Sequence, residues 1–254
     1  MFRTPDCGEK SRASFLESIR DYSSFMFEAV LLEFDGVIAD TREARRTALL
    51  DALEANGVTL SATEYVEHCA TLPVHGALRA AFALRDVPVD DTTVSLAVAR
   101  AERTYATLVE TGLSLAPGAQ PLIASLRGQA RLGVVSRSNR REIEHALGLA
   151  QIEDAFEFII ADDDPLAPKP SPAPYSAALE RLAKRRPVAP KQVVALEDGS
   201  AGIRSAKAAG LSCIVVGYLP VHLAVEADAI VPSLVGQTLG SLAAIVRGGS
   251  AAER

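Results

Sequence analysis

Two carboxylates, Glu33 and Asp35, stand one residue apart at the end of the short apolar segment 30–32. Because successive side chains of a strand point to opposite faces, this spacing places both acids on the same face of a sheet. Burying two negative charges together is costly unless a cation neutralises them. The pair therefore favours a metal site, a phosphate-handling site or both. The alternative is a strand end at which water simply solvates the two acids.

A second acidic pair, Glu197 and Asp198, follows the apolar segment 193–196 and precedes Gly199. Taken alone, this pair is equally consistent with a helix cap. In an open sheet of parallel strands, however, ligands bind at the carboxyl ends of the strands, and both acidic pairs occupy such positions. Together the two pairs predict a site at one edge of a sheet.

Two further segments carry groups that suit an anion. Ser136 and Arg137 follow an apolar segment and open a predicted helix, whose backbone N–H groups attract anions, although serine is also a common N-cap. Lys169 stands between two prolines that fix the direction of the backbone, although a surface lysine is the alternative interpretation. Each segment alone is a weak signal. The order of the four segments along the chain, that is these two and the two acidic pairs, is far more specific.

The elements that must position these residues alternate short apolar strands with helices after residue 26, which is typical of a parallel sheet covered on both faces. The sequence predicts strands at 29–34, 132–135, 156–160, 193–196, 213–216 and 229–231. It predicts helices, among others, at 140–147, 174–184 and 202–209. The predicted fold is therefore α/β, with a Rossmann-like parallel sheet as its core.

One long stretch interrupts this alternation. Residues 44–113 show only helical periodicity, punctuated by prolines. We interpret them as an all-helical cap domain inserted into a core domain that comprises 26–43 and 114–254. The polar and charged segment 1–25 differs from the rest, and we interpret it as an N-terminal appendage.

Composition argues against several kinds of protein. The 254 residues carry a net charge of −6, which disfavours nucleic acid as a partner because a phosphate backbone needs a basic surface. No apolar run approaches the roughly 18 residues that span a bilayer, and charges interrupt the N-terminus where a secretory signal would be apolar. Three widely separated cysteines indicate free thiols in a reducing compartment. We expect a cytoplasmic protein that binds neither nucleic acid nor membranes.

The order and spacing of the segments around Glu33, Ser136, Lys169 and Glu197 resemble those of the haloacid dehalogenase superfamily of phosphohydrolases. The resemblance covers roughly residues 27–235. It is greatest to the branch with a helical cap after the first motif, which includes β-phosphoglucomutase-like and phosphoglycolate-phosphatase-like proteins. It implies a Mg²⁺-dependent phosphomonoester hydrolase that acts on a small phosphorylated metabolite in the cytoplasm.

The resemblance also implies catalytic roles. Family members use the first carboxylate, here Glu33, as the nucleophile. The acid two residues later, here Asp35, protonates the leaving group and then activates water. Ser136 and Lys169 would hold the phosphoryl oxygens and offset their charge, with Arg137 as a further phosphate-binding candidate.

A metal site is implied by the same resemblance. Mg²⁺ would be held by the Glu33 carboxylate, the backbone carbonyl of Asp35 and the carboxylate of Asp198. Glu197 would assist directly or through water. A site made of oxygen ligands that retains water suits Mg²⁺ rather than zinc.

The sequence departs from the family at the residue that would react. Family members have aspartate at this position, whereas this chain has Glu33. A misplacement of about 1 Å costs on the order of a hundredfold in rate. Three interpretations follow: Glu33 attacks phosphorus in an active phosphatase, it binds metal in a weak or silent protein that holds a phosphoester in a regulatory role, or it activates water for another reaction.

The cap residues indicate the substrate only weakly. Where mutase-like relatives carry a histidine, this chain has Arg45, and where they carry a glycine and then an arginine, it has His75 and Gly76 with Arg79 beyond. Both departures disfavour a sugar-phosphate mutase. Arg45, His75 and Arg79 are candidates to contact an anionic part of the substrate. The alternative is that they are solvated or pair with acids of the cap helices.

Overall fold

The computed structural model describes residues 26–70, 72–112 and 114–251, so the predicted appendage at 1–25 lies outside the described residues. Six strands, each parallel to its neighbours, form one sheet. They are β1 (Ala29–Leu32), β2 (Arg131–Val135), β3 (Phe158–Ile160), β4 (Val193–Glu197), β5 (Ser212–Val216) and β6 (Ala229–Val231). Their order across the sheet is β3-β2-β1-β4-β5-β6. The first strand therefore lies in the middle, between β2 and β4.

Helices cover the sheet and fill the segment that follows β1. The helices described in that segment are α1 (Arg42–Glu54), α2 (Ala62–His68), α3 (Val74–Ala83) and α4 (Asp91–Glu110). Those of the core are α5 (Ala119–Leu126), α6 (Arg140–Leu149), α7 (Ala173–Arg185), α8 (Ser200–Ala208), α9 (Val221–Ala224) and α10 (Leu239–Ala251). None of the described helices is both long and apolar enough to cross a membrane.

Both faces of the sheet are buried, which explains why the strands are continuous apolar runs in the sequence rather than alternating ones. In β1, Val30 and Leu32 belong to one hydrophobic cluster with residues of α5, α6 and α10. Ala29 and Leu31 face the other side and pack with residues of α7 and α8. The sheet is therefore the middle layer of a three-layer α/β core, and the predicted fold class is confirmed.

The six predicted strands are confirmed, with ends that differ from the predicted ones by at most two residues. One of these differences bears on the site, because β1 ends at Leu32 rather than at residue 34. The N–H of Glu33 still donates to the Leu196 carbonyl at 3.0 Å, but the chain then turns. In that turn, the N–H groups of Ile38 and Ala39 both donate to the carbonyl of Phe34.

The cap is confirmed as helical in its described residues. Helices α1 to α4 pack around a hydrophobic cluster of their own that includes Leu53, Leu78 and Phe82. The chain leaves and re-enters the core side by side, since the N–H of Asp40 donates to the Ser114 carbonyl at 2.8 Å. Helix α1 already begins two residues before the predicted boundary at 44, and the two domain boundaries stay a prediction.

Candidate active site

Five of the predicted site residues meet at the carboxyl ends of three adjacent strands. Glu33 and Asp35 follow β1, Ser136 follows β2, and Glu197 ends β4 with Asp198 directly after it. Because β1 pairs with both β2 and β4, residues far apart in the sequence come together. The order of the strands therefore brings these residues together at one edge of the sheet, where the sequence predicts a site.

Glu33 is only 4% exposed, and both oxygens of its carboxylate accept hydrogen bonds. Oε1 accepts one from the hydroxyl of Ser136 and one from the N–H of Phe34 at 2.8 Å. Oε2 accepts one from Nζ of Lys169 at 2.6 Å. The two residues predicted to hold phosphoryl oxygens, Ser136 and Lys169, thus converge on the predicted nucleophile.

Three protein acceptors surround the ammonium of Lys169, which has three hydrogens to donate. Besides Glu33, Nζ donates to Oε1 of Glu197 at 2.6 Å and to the Val135 carbonyl at 2.8 Å. Burial disfavours the charge of this lysine, but the Glu197 and Glu33 carboxylates outweigh burial and raise the pKa of Lys169. Lys169 is therefore a fixed, charged cation.

Glu197 is held in place from two other directions. The hydroxyl of Tyr175 donates to its Oε1 at 2.5 Å, and the Tyr175 ring lies 5.0 Å from Nζ of Lys169. On α8, Gly202 lies so close that a Cβ at this position would overlap the Glu197 carboxylate. Oε1 of Glu197 is thus engaged by protein donors, and its main partner is Lys169.

Asp35 is 7% exposed and belongs to a second cluster of contacts. Its Oδ2 accepts hydrogen bonds from the hydroxyl of Ser138 at 2.5 Å and from the guanidinium of Arg45. Its Oδ1 accepts a hydrogen bond from the hydroxyl of Tyr105 at 3.1 Å. Ser138 belongs to the core, whereas Arg45 lies on α1 and Tyr105 on α4. The cap therefore contacts the predicted acid/base carboxylate directly.

Arg45 and Tyr105 also contact each other. The Arg45 guanidinium lies over the Tyr105 ring, 5.2 Å from its centre, within the range of a cation–π contact. Burial, followed by the charge of Asp35, raises the pKa of Tyr105. The phenol is therefore protonated at neutral pH and acts as a hydrogen-bond donor.

Asp198 differs from the other three acids, because no protein group donates a hydrogen bond to its carboxylate within the described residues. Crowding by protein atoms, followed by the charges of the neighbouring carboxylates, raises the pKa of Asp198 well above its usual value, although the residue remains accessible to solvent. Its Oδ2 lies beside Gly36, where φ is +74° and a Cβ would be only 2.6 Å away. A cation at this position would stabilise the ionised carboxylate.

The charges of the whole site fit a divalent cation. Four carboxylates face two cations, Lys169 and Arg45, which leaves an excess of negative charge. Across the described ranges, no three acidic, histidine or cysteine side chains gather as a preformed metal centre. Lys169 lies instead between Glu33 and Glu197. The residues nevertheless fit Mg²⁺ by charge and by their oxygen donors, with Asp198 as the carboxylate that no protein donor engages.

Three other predicted residues are not drawn into these contacts. Arg137 is exposed next to Ser136, and His75 is exposed on the first turn of α3. Arg79 forms an ion pair with Asp91 inside the cap. The structure therefore brings Arg45, but neither His75 nor Arg79, to the site residues of the core, and a substrate contact by these two residues stays a prediction.

The arrangement suits the transfer of an anionic group. A buried ammonium and a hydroxyl can stabilise negative oxygens, which is the main requirement of phosphoryl transfer. Glu33 supplies a carboxylate next to these donors, and Asp35 supplies a second carboxylate that can exchange a proton.

Comparison with known proteins connects the site to one family. The family model described as haloacid dehalogenase-like hydrolase matches residues 30–216. Protein CbbY of Cereibacter sphaeroides is 36% identical over 200 residues, which cover 75% of this chain and 84% of that protein. A phosphoglycolate phosphatase of Rhodospirillum rubrum is 29% identical over 201 residues, which cover 76% of this chain and 80% of that protein.

Solved structures agree with this result. CbbY from Rhodobacter sphaeroides, crystallised in complex with phosphate, is 30% identical, with a TM-score of 0.68 over 85% of this chain and 99% of that one. β-Phosphoglucomutase from Clostridium difficile has a TM-score of 0.69 over 89% of this chain and all of that one, and at 20% identity it shows the fold alone. The family model covers most of the chain, and the chain belongs to the haloacid dehalogenase-like hydrolases.

Proposed function

We propose that the protein is a Mg²⁺-dependent phosphomonoesterase that acts on a small phosphorylated metabolite in the cytoplasm. The observation that carries this proposal is the convergence of Ser136 and Lys169 on the Glu33 carboxylate, next to Asp35. The names of similar proteins support the substrate class, since one is a phosphoglycolate phosphatase and CbbY was crystallised with xylulose-1,5-bisphosphate. The two buried free thiols, Cys69 and Cys213, fit a reducing compartment.

In the proposed reaction, Glu33 attacks phosphorus and forms an acyl phosphate, while Ser136 and Lys169 bind the phosphoryl oxygens. Asp35 gives a proton to the leaving oxygen and then takes one from the water that hydrolyses the acyl phosphate. Mg²⁺ would be held by Asp198, Glu33 and the Asp35 carbonyl, and would offset the charge of the phosphoryl group.

A second candidate function rests on the same contacts. Both oxygens of Glu33 are already engaged by Ser136 and Lys169, the donors that a phosphoryl group would need. The Glu33 carboxylate would then compete with the substrate, and the protein would bind a phosphoester weakly without turning it over. This second candidate is a binding or regulatory protein of the same fold.

The change Glu33→Asp separates the two candidates. Turnover of a panel of small phosphomonoesters is measured with and without Mg²⁺, with Asp35→Asn as the inactive control. If the backbone has adapted to the longer side chain, shortening it retracts the nucleophile and lowers the rate by about a hundredfold. This outcome is expected for an active phosphatase. A rise in rate, or activity that appears only in the variant, would instead identify a silenced site.

The metal is tested separately by Asp198→Asn, with Asp91→Asn on the cap surface as the matched control. Removing the carboxylate charge is expected to weaken Mg²⁺ binding by at least about tenfold in titration calorimetry, whereas the control leaves it unchanged. Equal Mg²⁺ affinity in both variants would place the metal elsewhere.

A further inference from the structure

The donors to Asp35 are divided between its two oxygens. Oδ2 accepts hydrogen bonds from Ser138 and Arg45, whereas Tyr105 is the donor to Oδ1. The rotation of the Asp35 side chain about its terminal bond is therefore fixed by donors on both sides, and Tyr105 supplies the contact on one of them. The loss of that single hydroxyl would release one oxygen of the carboxylate.

Tyr105 is itself held rigidly enough to act in this way. It lies in the fourth turn of the long cap helix α4, whose first turn carries the Asp90 cap and whose length packs against α1. Its ring lies under the Arg45 guanidinium at 5.2 Å, so the two cap residues reach Asp35 side by side. Glu142 on α6 faces this pair from the core and completes the charged surroundings.

The partners that the cap supplies to the two oxygens differ in exposure to solvent. The side chain of Arg45 is 48% exposed, so solvent or an anionic substrate competes for its guanidinium. The hydroxyl of Tyr105 carries no charge, and its ring is half-buried between the cap helices and Asp35. If an anionic substrate drew Arg45 away, Oδ2 would keep only the hydroxyl of Ser138, which can rotate and accept as well as donate, while Oδ1 would stay bonded to Tyr105.

We propose that Tyr105 is a positioning residue that holds Oδ1 of Asp35 and thereby presents Oδ2 as the oxygen that exchanges the proton. This inference rests on the proposed phosphomonoesterase function. It adds to that function a residue of the cap, and it predicts that the cap is needed for the proton-transfer step as well as for binding a substrate.

The test compares Tyr105→Phe with Tyr65→Phe. Tyr65 is a matched control, since it also lies on a cap helix and also carries an arginine, Arg46, over its ring at 6.0 Å. Both variants keep the ring and lose only a hydroxyl. We expect Tyr105→Phe to lower kcat by about tenfold with KM within about twofold, and Tyr65→Phe to change neither.

A second measurement does not depend on turnover. Hydrogen exchange of the backbone amides of Gly36, Ile38 and Ala39, which donate hydrogen bonds within the turn after β1, reports how firmly this turn is held. Exchange in Tyr105→Phe is expected to be about threefold to tenfold faster than in the wild type and in Tyr65→Phe.

The outcomes distinguish this inference from the proposed function. Unchanged hydrogen exchange in Tyr105→Phe would overturn the inference, whether or not the protein is a phosphatase. A rise in KM at constant kcat would also overturn it, because it would make Tyr105 a substrate contact. Faster exchange in a protein without any turnover would support the contact to Asp35 and overturn the phosphomonoesterase function instead.

Discussion

The two carboxylates that follow β1 are held by different parts of the molecule. Glu33 is held entirely by the core, through Ser136 after β2 and Lys169 before α7, and all three residues are at most 5% exposed. Asp35 is held by both domains, with Ser138 as its donor from the core and Arg45 and Tyr105 as its donors from the cap. The contacts proposed to bind phosphate therefore lie within the core, whereas those of the proposed proton-transfer group also depend on where the cap lies.

This difference separates two tasks of the proposed site, which are to hold an anion and to respond to its arrival. A buried ion pair keeps its geometry because removing either charge would leave the other unpaired in a medium of low polarity. A partly exposed contact across two domains can open and close at little cost. The Glu33 cluster is thus suited to holding an anion, and the Asp35 cluster is suited to responding to one.

The largest expected effect comes from removing the central cation of the core cluster. Lys169→Met leaves Glu33 and Glu197 buried without their common partner, and we expect the free energy of unfolding to fall by about 3–5 kcal/mol, together with the loss of phosphate binding. Urea unfolding and titration with inorganic phosphate measure the two effects.

The control for this change is Lys207→Met. Lys207 pairs with Asp228 on the surface of the core, where the two side chains are 31% and 28% exposed, and its loss should cost less than about 1 kcal/mol. Equal losses in the two variants would contradict the view that the Lys169 pair is set apart by its burial.

A smaller effect is expected at the cap side of the second cluster. Arg45→Met removes one donor to Asp35, and we expect about a tenfold loss of turnover with a change in unfolding free energy below about 1 kcal/mol. The neighbouring Arg46 pairs with Glu43 instead, so Arg46→Met is expected to keep full activity. If both variants lost the same activity, the contact of Arg45 with Asp35 would not be the cause.

The smallest effect concerns the acid stability of the cap. The backbone N–H of Ser61, followed by the guanidinium of Arg85, lowers the pKa of Glu64 to about 2. Because this value lies below the ordinary one, the carboxylate stabilises the fold above about pH 4.5, and its contribution is lost as the pH falls towards 2. Between these pH values, the melting temperature of Glu64→Gln should therefore depend less on pH than that of the wild type. The control Glu67→Gln, on the same helix, should show the pH dependence of the wild type.

The core was more predictable from sequence than the cap, for a physical reason. Each buried strand needs an unbroken apolar run, so all six strands are visible as such in the sequence. The parallel order then brings Glu33, Ser136 and Glu197 to one edge without any further information. The end of β1 was less visible, because Phe34 is as buried as the strand residues and belongs to the turn.

The cap contacts depend on how one helix packs against another. In the sequence, Tyr105 occupies one position of the apolar pattern of a helix. No neighbouring residue indicates that its hydroxyl contacts Asp35. Ser138 offers a weak signal in the sequence, since it follows Ser136 with the same spacing that separates Glu33 and Asp35 after β1. Arg79 pairs with Asp91 on the next helix, and the spacing of these residues in the sequence does not indicate that pairing.

The antiparallel bridge between Ala39 and Leu115 brings together the two points at which the chain leaves the core and returns to it. Since the chain departs and returns at one point, a recombination event could exchange everything between these two residues while the strand order of the sheet stays the same. New substrate preferences could then arise by changing the cap alone. The donors that such an exchanged cap must supply to Asp35 would be the main restriction on which caps are accepted.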